Sequence, residues 1–571
     1  MSEIATPKGH PKGLYVLFAT EMWERFNYYG MRAVLVLFMT KALLFDKAFA
    51  SNLYGSYTSL VYLTPLIGGF VADRYWGNQR SIIAGGLVMA LGEFILFFCG
   101  STYVSSPDLS ALLFFSGLGL MIAGNGFFKP NISSLVGQLY PVGDRRIDPA
   151  YTIFYMGINV GGALGPLVCG ILGDTGDPAD FKWAFLAGGI GMLISVLVQM
   201  AFAKQYVIDP NKMELGKPPA DAPASWLKPI AMILGLAAFS TLAIGLLYLD
   251  ARVVPYLTYL LVAAALAIGY IIFSDKTLTN IEKQRIAVIF IVAFFVVFFW
   301  SAFEQAGASL TFFADEQTNR HIGINWPTWI VYPIGLGFLG IIYKLYLSAK
   351  VGLAAPKENM LQITVYALLF AFAAAIIYAI ISVASGVSDR LTMDELPAST
   401  FQSLNSIFVV SFAPLFAWLW LKLGKYEPAA PTKMALGLFL LSLGYLWIAF
   451  GVKDVQPGIK VSMIWLTGMY ALHTMGELCL SPIGLSLVNK LAPLKFASLL
   501  MAVWFLANAA ANKLAGVLSA LYPDNKTTHF LGYKMTNLYD FFILFVVMSG
   551  VASLILFLLS GRLLKMMHGL K

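Results

Sequence analysis

The stretch Glu21-Met-Trp-Glu-Arg-Phe-Asn-Tyr-Tyr-Gly30 sets two carboxylates and a guanidinium inside a hydrophobic segment that runs from about residue 13 to 41. A helix turns about 100° per residue, so Glu21, Arg25, Tyr28 and Arg32 fall within roughly 60° of one another, with Glu24 and Tyr29 on the flanks. One face of this helix is a polar stripe. The chain of 571 residues is 59% hydrophobic and 12% charged, with a mean hydropathy of +0.75, far from the composition of a soluble domain. The helix is therefore expected to cross a membrane, and it is too long and too charged within to be a cleavable signal peptide. An ionised side chain near the bilayer centre costs about 2.5–3.5 kcal/mol on insertion scales. Such a stripe should face a water-filled path or opposite charges on other helices.

Three separated motifs carry a resemblance. EMWERFNYYG at 21–30 is similar to the ExxERFxYYG signature of the proton-dependent oligopeptide transporter family (POT, or PTR), a branch of the major facilitator superfamily. GGFVADRYWGNQR at 68–80 is similar to the superfamily's loop between its second and third helices, and FYMGINVGGALGP at 154–166 to the family's fifth helix. The resemblance implies an all-α polytopic membrane protein of two six-helix bundles, related by a pseudo-twofold axis along the membrane normal. It also implies a central site near the midplane that works by alternating access.

Spans of about 20 residues lie near 13–41, 52–73, 79–99, 109–138, 150–172 and 183–203, which gives an N-terminal bundle over 1–206. A polar linker with Pro210, Pro218, Pro219 and Pro223 comes next at 207–225, then two apolar segments near 226–248 and 255–274 without an ionisable residue in their interiors. By resemblance these two are an accessory pair facing lipid and binding nothing, within an inter-bundle region at 207–282. The C-terminal bundle, 283–571, opens near 283–314 with FWSAFEQAG. Two unexpected spans near 327–347 and 361–385 precede the segment at 401–420, and further spans lie near 432–450, 461–490, 496–521 and 539–563. Read as an inserted pair within 327–385, the two extra spans bring the count to about 16 helices and preserve the orientation of the later helices. Lys and Arg outnumber Asp and Glu by 38 to 30. Their excess falls on the side that holds the termini, which places both termini in the cytoplasm and explains the net charge of +8 without nucleic acid.

The resemblance also assigns roles. Glu21, Glu24 and Arg25 match the family's first-helix set, implicated in proton handling and in packing against the fourth helix. Lys129, in GNGFFKPNIS beside Pro130, matches a lysine needed for coupling; a buried ammonium there must pair with a carboxylate or bind an anionic ligand group. With Arg32 it would face a peptide's carboxylate. Glu477, helped by Asn159 and Asn405, matches the glutamate that holds the peptide's amino group. Glu304 would exchange partners with Arg32 or Lys129 according to its protonation. Tyr28, Tyr29, Tyr62, Trp300, Trp504 and Asn508 match cavity lining, whereas aromatics at helical spacing would by themselves read as core. Asp73, Arg74, Gly77 and Arg80 match the superfamily's hinge and charge clamp. Glu93 is expected to meet a polar neighbour or the interface, and Lys513 to snorkel or to pack near the helix of Glu477. Animal members carry a proton-sensitive histidine where Gly55 stands here, and His473, one turn before Glu477, is a substitute by position alone.

The function implied is proton-coupled import of di- and tripeptides by a monomer in a bacterial inner membrane, with protons as coupling ion and no cofactor. The alternative is the same machine with another small solute, such as nitrate or an amino acid derivative. Enzyme chemistry is not indicated: the five histidines are dispersed, Cys99, Cys169 and Cys479 sit at unrelated spacings in hydrophobic segments, and no GxxxxGK[ST] loop is present. The inserted pair can be tested directly. On a background lacking the three native cysteines, Ser388→Cys should react with a membrane-impermeant thiol reagent on intact cells, and Ala355→Cys only after the membrane is opened. Labelling of both from outside would refute the 16-helix count.

Overall fold

The computed structural model describes residues 9–569 apart from 142, 221, 224–227, 253–254, 328–336, 338–339, 341–389, 457 and 525. The polar stripe lies on α1 (Lys12–Leu37), which continues through one π turn at Phe38–Ala42. After it come α2 (Lys47–Val71), α3 (Asn78–Thr102), α4 (Pro107–Gln138), α5 (Ile147–Gly173) and α6 (Phe181–Tyr206), then the hairpin helices α7 (Pro229–Arg252) and α8 (Tyr256–Phe273). The second half holds α9 (Asn280–Phe303), α10 (Ser309–Glu316), α11 (Ser403–Leu423), α12 (Ala430–Val452), α13 (Met463–Leu491), α14 (Ala497–Ser519) and α15 (Leu538–Met566). Apart from α10, these have 18 to 32 residues, or roughly 27–48 Å at 1.5 Å per residue, enough for a hydrocarbon core of about 30 Å. Eleven helices among the described residues are long and apolar enough to cross a membrane. α1, α2 and α13 are also of spanning length but carry more polar side chains.

Local chemistry sets several helix starts. Asp46 accepts from the backbone N–H of Ala48 and Phe49 at the start of α2, and Thr279 and Glu282 form a reciprocal cap on α9. Helix α9 gives way at Glu304–Gly307 to a 3-10 turn before α10, so the backbone ladder changes register at Glu304 itself. Within the first half α1 packs on α5 and α6, α3 on α4 and α6, and α2 on α4; within the second, α12 packs on α13 and α15, α9 on α14 and α15, and α11 on α13. The halves meet where α2 lies on α14 and α5 on α11, while α7 rests on α4 and α2 and α8 rests on α14.

The α2–α14 seam closes backbone to backbone. A Cβ added to Gly55 would lie 2.7 Å from the Gly516 Cα, and Ser519 and Ser51 join their hydroxyls at 3.1 Å. The absence of a side chain at Gly55 is thus what allows the approach. The ion pairs between the halves, among the described residues, are Arg32–Glu304 and three toward one end: Lys41–Asp315, Lys47–Glu316 and Lys47–Asp524. Asp174 reinforces that end, the Lys41 end, by accepting from the backbone N–H and hydroxyl of Ser399 at 3.0 and 3.1 Å.

Two boundaries differ from the sequence reading. α7 extends to Arg252 and so contains Asp250, a buried carboxylate in a helix expected to hold no charge; an apolar run ends at its first charged residue, whereas a helix does not. The strand β1 (Thr318–Asn319) pairs in parallel with β4 (Val461–Ser462), and β2 (His321–Pro327) pairs antiparallel with β3 (Arg390–Glu395), so Pro327 still lies in a strand opposite Arg390. The stretch 327–385 therefore leaves and returns at one place, which an inserted pair and an external hairpin both require. The spans near 327–347 and 361–385 themselves fall outside the described residues. Gly55→Leu or Gly516→Leu should cost about 1–3 kcal/mol of overpacking and lower the unfolding midpoint in detergent. Gly245→Leu, where an added Cβ meets nothing within 4 Å, should leave it unchanged.

Candidate functional site

The stripe on α1 divides into two clusters, centred on Arg25 and Arg32 about two helical turns apart. In the first, Arg25 Nε lies 3.0 Å from Glu21 Oε1 and 2.5 Å from Glu24 Oε2, all three side chains being buried. Asn125 of α4 donates to Glu24 Oε1 at 3.4 Å, and the guanidinium stands over the rings of Tyr28 and Tyr29 at 5.4 and 5.9 Å. Two carboxylates around one guanidinium leave a net negative charge inside the fold, which only a nearby cation or a proton can offset. Lys129 of α4 is that cation by proximity. It lies within electrostatic range of Glu24, Glu21 and Glu304, yet touches none of them, and instead stands over the Tyr62 ring at 5.6 Å. Of the two options for this ammonium, a carboxylate partner or an anionic ligand group, the first is not taken among the described residues.

The second cluster spans the halves. Arg32 Nη2 lies 2.7 Å from Glu304 Oε2, with both side chains more than nine-tenths buried, and its guanidinium faces the rings of Tyr29 and Tyr54 at 5.7 and 5.9 Å. Tyr54 is absent from the sequence-based set, although its place two helical turns before Tyr62 could have revealed it. The opposite wall is α13. Glu477 accepts from Asn405 Nδ2 of α11 at 2.8 Å, Asn405 also donates to Thr474 at 3.1 Å, and no cation pairs with Glu477 among the described residues. Tyr29 lies within electrostatic range of both Arg32 and Glu477 and so connects the walls.

Other expected residues sit less directly. Asn159 donates to the Tyr155 carbonyl one turn back on α5 rather than to Glu477. Trp300 is half-buried, edge-on to Phe299 and Phe303; Trp504 packs on Gly484; Asn508 donates to the Trp504 carbonyl. His473 is buried against the rings of Tyr445 and Phe303, and no carboxylate pairs with it among the described residues. Glu93 does meet a polar neighbour, Asn27 Nδ2 at 2.8 Å. Lys513 does not snorkel: it is buried 2.5 Å from Asp250. Asp73, Arg74 and Arg80 are exposed and form no ion pair among the described residues, so no charge clamp is closed there. Gly77 is the turn residue that leads into α3. Its φ of +74° suits glycine, and an added Cβ would strike the Gly216 carbonyl of the linker, to which Gln79 N–H donates at 3.1 Å.

Comparison with known proteins fits this geometry. The family model described as "PTR2: POT family" matches residues 79–330 and 359–536. The chain belongs to the POT family. It is 33% identical to "Uncharacterized transporter YclF" of Bacillus subtilis, over 92% of this chain and 90% of that one. It is 31% identical to "Peptide transporter YePEPT" of Yersinia enterocolitica, over 89% and 88%. Among solved structures, peptide transporter POT in complex with sulfate is 29% identical with a TM-score of 0.71, covering 99% of this chain and 97% of that one. A POT family transporter in complex with 5-aminolevulinic acid is 26% identical with a TM-score of 0.72, covering 98% of each. The architecture is that of the major facilitator superfamily, and the chain is a multi-pass membrane protein of a transporter family. Within this POT fold the two walls differ in charge, and Glu477 can be tested by itself. Glu477→Gln removes an acceptor for a ligand ammonium, a charge-assisted contact of about 1.5–3 kcal/mol. Dipeptide affinity should fall roughly tenfold or more, and a dipeptide with a blocked amino terminus should lose less. Equal losses would make Glu477 a structural residue.

Proposed function

We propose that the chain is a proton-coupled symporter that imports di- and tripeptides by alternating access. The observation that carries this reading is a half-buried ammonium and a buried carboxylate on opposite walls, Lys129 beside Tyr62 and Glu477 beside Asn405, neither in an ion pair among the described residues. Buried charges without partners are costly, so a ligand that supplies both counter-charges is favoured. A zwitterionic peptide does so with its two termini, its carboxylate toward Lys129 and Arg32 and its ammonium toward Glu477. A simple anion would leave the glutamate unanswered. 5-Aminolevulinic acid, bound by a similar transporter, likewise carries an amine and a carboxylate at its ends.

Coupling arises from Arg32 and Glu304. While Glu304 is ionised it holds the guanidinium across the seam; a proton on Glu304 cancels the attraction, and a peptide carboxylate competes for the freed Arg32. Proton and peptide thus weaken the same bridge, and the equilibrium between the two openings shifts when both are present. Glu21, Glu24, Arg25 and Lys129 form the neighbouring charge set through which the proton is passed or balanced. With both termini in the cytoplasm, the Lys41 end, held by its ion pairs, is the outer one. A membrane potential of about 100 mV contributes roughly 2.3 kcal/mol per charge and a pH unit about 1.4, enough for several-hundred-fold accumulation of a neutral peptide per proton. Protons are the coupling ion, no cofactor is needed, and one copy in the bacterial plasma membrane suffices.

The test is uptake of a labelled dipeptide into liposomes with and without an inward proton gradient. Accumulation should require the gradient, and failure with every dipeptide tried would overturn the reading. Lys129→Ala should abolish gradient-driven accumulation while leaving exchange of peptide across liposomes preloaded with it, since exchange needs binding and reorientation but no net proton movement. Preserved accumulation would remove Lys129 from the coupling set.

A further inference from the structure

We propose that the α7–α8 hairpin is a strap across the seam between the two bundles, with Asp250 as the carboxylate that helps hold the Lys41 end closed. The inference rests on the alternating-access reading, but not on the identity of the solute. The buried residues of α7 are Ser240, Ala243, Leu247 and Asp250, spaced three and four apart so that they form one stripe along the helix. The stripe ends on a charge rather than on an apolar side chain.

That charge is held from three directions. Asp250 Oδ2 accepts from Ser56 of α2 and from Lys513 of α14, both at 2.5 Å, and Oδ1 accepts from the backbone N–H of Leu257 at the start of α8 at 2.9 Å. Lys513 Nζ also donates to Ser56 Oγ at 2.8 Å, closing a triangle. The Asp250 side chain is 0% exposed and that of Lys513 6%. Ser56 belongs to the first bundle and Lys513 to the second, so the carboxylate ties the bundles through an element outside both. The hairpin is divided in the same way, since α7 rests on α4 and α2 and α8 on α14. The triangle lies beside the Gly55–Gly516 approach and within one helical turn of it along each helix. Any motion that parts α2 from α14 there must separate Ser56 from Lys513, and the carboxylate can go with only one of them.

A hairpin that merely filled space against lipid could pack on apolar contacts alone. Burying an ion pair at that depth is costly unless it is fully hydrogen-bonded. When the seam opens the groups can meet water instead, since a pocket of about 460 Å³, lined by Asp250, Lys513, Arg252, Asn52 and Ser56 along with apolar side chains, adjoins them. The triangle thus has two satisfied states, one closed and dry, one open and wet.

The experiment measures the spacing of the Lys41 end in the full chain without any substrate. Spin labels at Val104→Cys and Leu531→Cys, two exposed loop positions at that end on different bundles, on a background lacking Cys99, Cys169 and Cys479, give the distance distribution by pulsed electron resonance. A short distance should dominate in the parent. Ser56→Ala, which leaves the ion pair intact, and Asp250→Asn should each raise the ratio of the long to the short component about tenfold, the worth of one hydrogen bond to a charged group. Exchange of the charges, Asp250→Lys with Lys513→Asp, should bring the ratio back toward the parent relative to Asp250→Asn. If Asp250→Asn does not fold, Ser56→Ala alone decides. Unchanged distributions in Ser56→Ala would show that the hairpin is passive and overturn the proposal. A chain that carried a solute other than a peptide would leave the expected distances as they are, so the two readings fail separately.

Discussion

The contact between Arg32 and Glu304 at 2.7 Å, more than nine-tenths buried, fixes much of what surrounds it. Two charges removed from water are tolerable only together, and loss of either partner leaves the other uncompensated at a cost of about 3–5 kcal/mol. Arg32 sits on α1 and Glu304 at the point where α9 turns into a 3-10 stretch, so the pair also decides how the two halves meet. The second charge set, Glu21, Glu24 and Arg25, depends on the same helix being held in place, because the stripe on α1 presents both clusters at once. Lys129 then stands between the clusters without touching either, over an aromatic face that gives a cation partial compensation and leaves its donors free.

The charges form a graded series from the Lys41 end inward. At that end Lys47 pairs with Glu316 and Asp524 and Lys41 with Asp315, partly exposed and at separations of 2.6 to 3.0 Å, where each link is weaker and water can replace it. Deeper, Asp250 with Lys513 and Arg32 with Glu304 are dry and each link is strong. On the far wall Glu477 has, among the described residues, only an amide donor, Asn405. Opening the end therefore meets increasing resistance with depth, and the groups that can be relieved by a proton or by a ligand's charge lie at the bottom.

The sequence revealed the parts of this that are local. The stripe on α1 comes from the 3.6-residue period, and the twelve bundle helices from runs of apolar residues. Tyr54 was within reach by the same spacing, counted back from Tyr62. The pairing of Asp250 with Lys513 was not, because the partners are 263 positions apart and no local pattern states which of the scarce membrane charges faces which. Which of the two expected options Lys129 takes, a carboxylate partner or an anionic ligand group, was out of reach for the same reason: a charge in a membrane helix needs compensation, but no local pattern states that a ring and distant carboxylates provide it. The loop at Asp73–Arg80 was read by motif as a hinge and charge clamp, yet among the described residues its charges form no ion pair, and its contacts are made by Gly77 and Gln79 against the linker and by Asn78 and Trp76 against α4.

The Gly55–Gly516 contact bears on leakage. A carrier driven by protons loses its driving force wherever an unbroken file of water joins the two sides, since protons hop along such a file far faster than any helix moves. Side chains packed across a seam leave crevices whose size varies with every rotamer. Two glycine backbones in contact leave none, because even a methyl group there would sit 2.7 Å from the opposing Cα, and a water needs about a probe sphere of free volume and polar partners to settle. The seam is sealed by the one part of a helix that has no rotamers, and the tightness of the seal is independent of which solute fills the site.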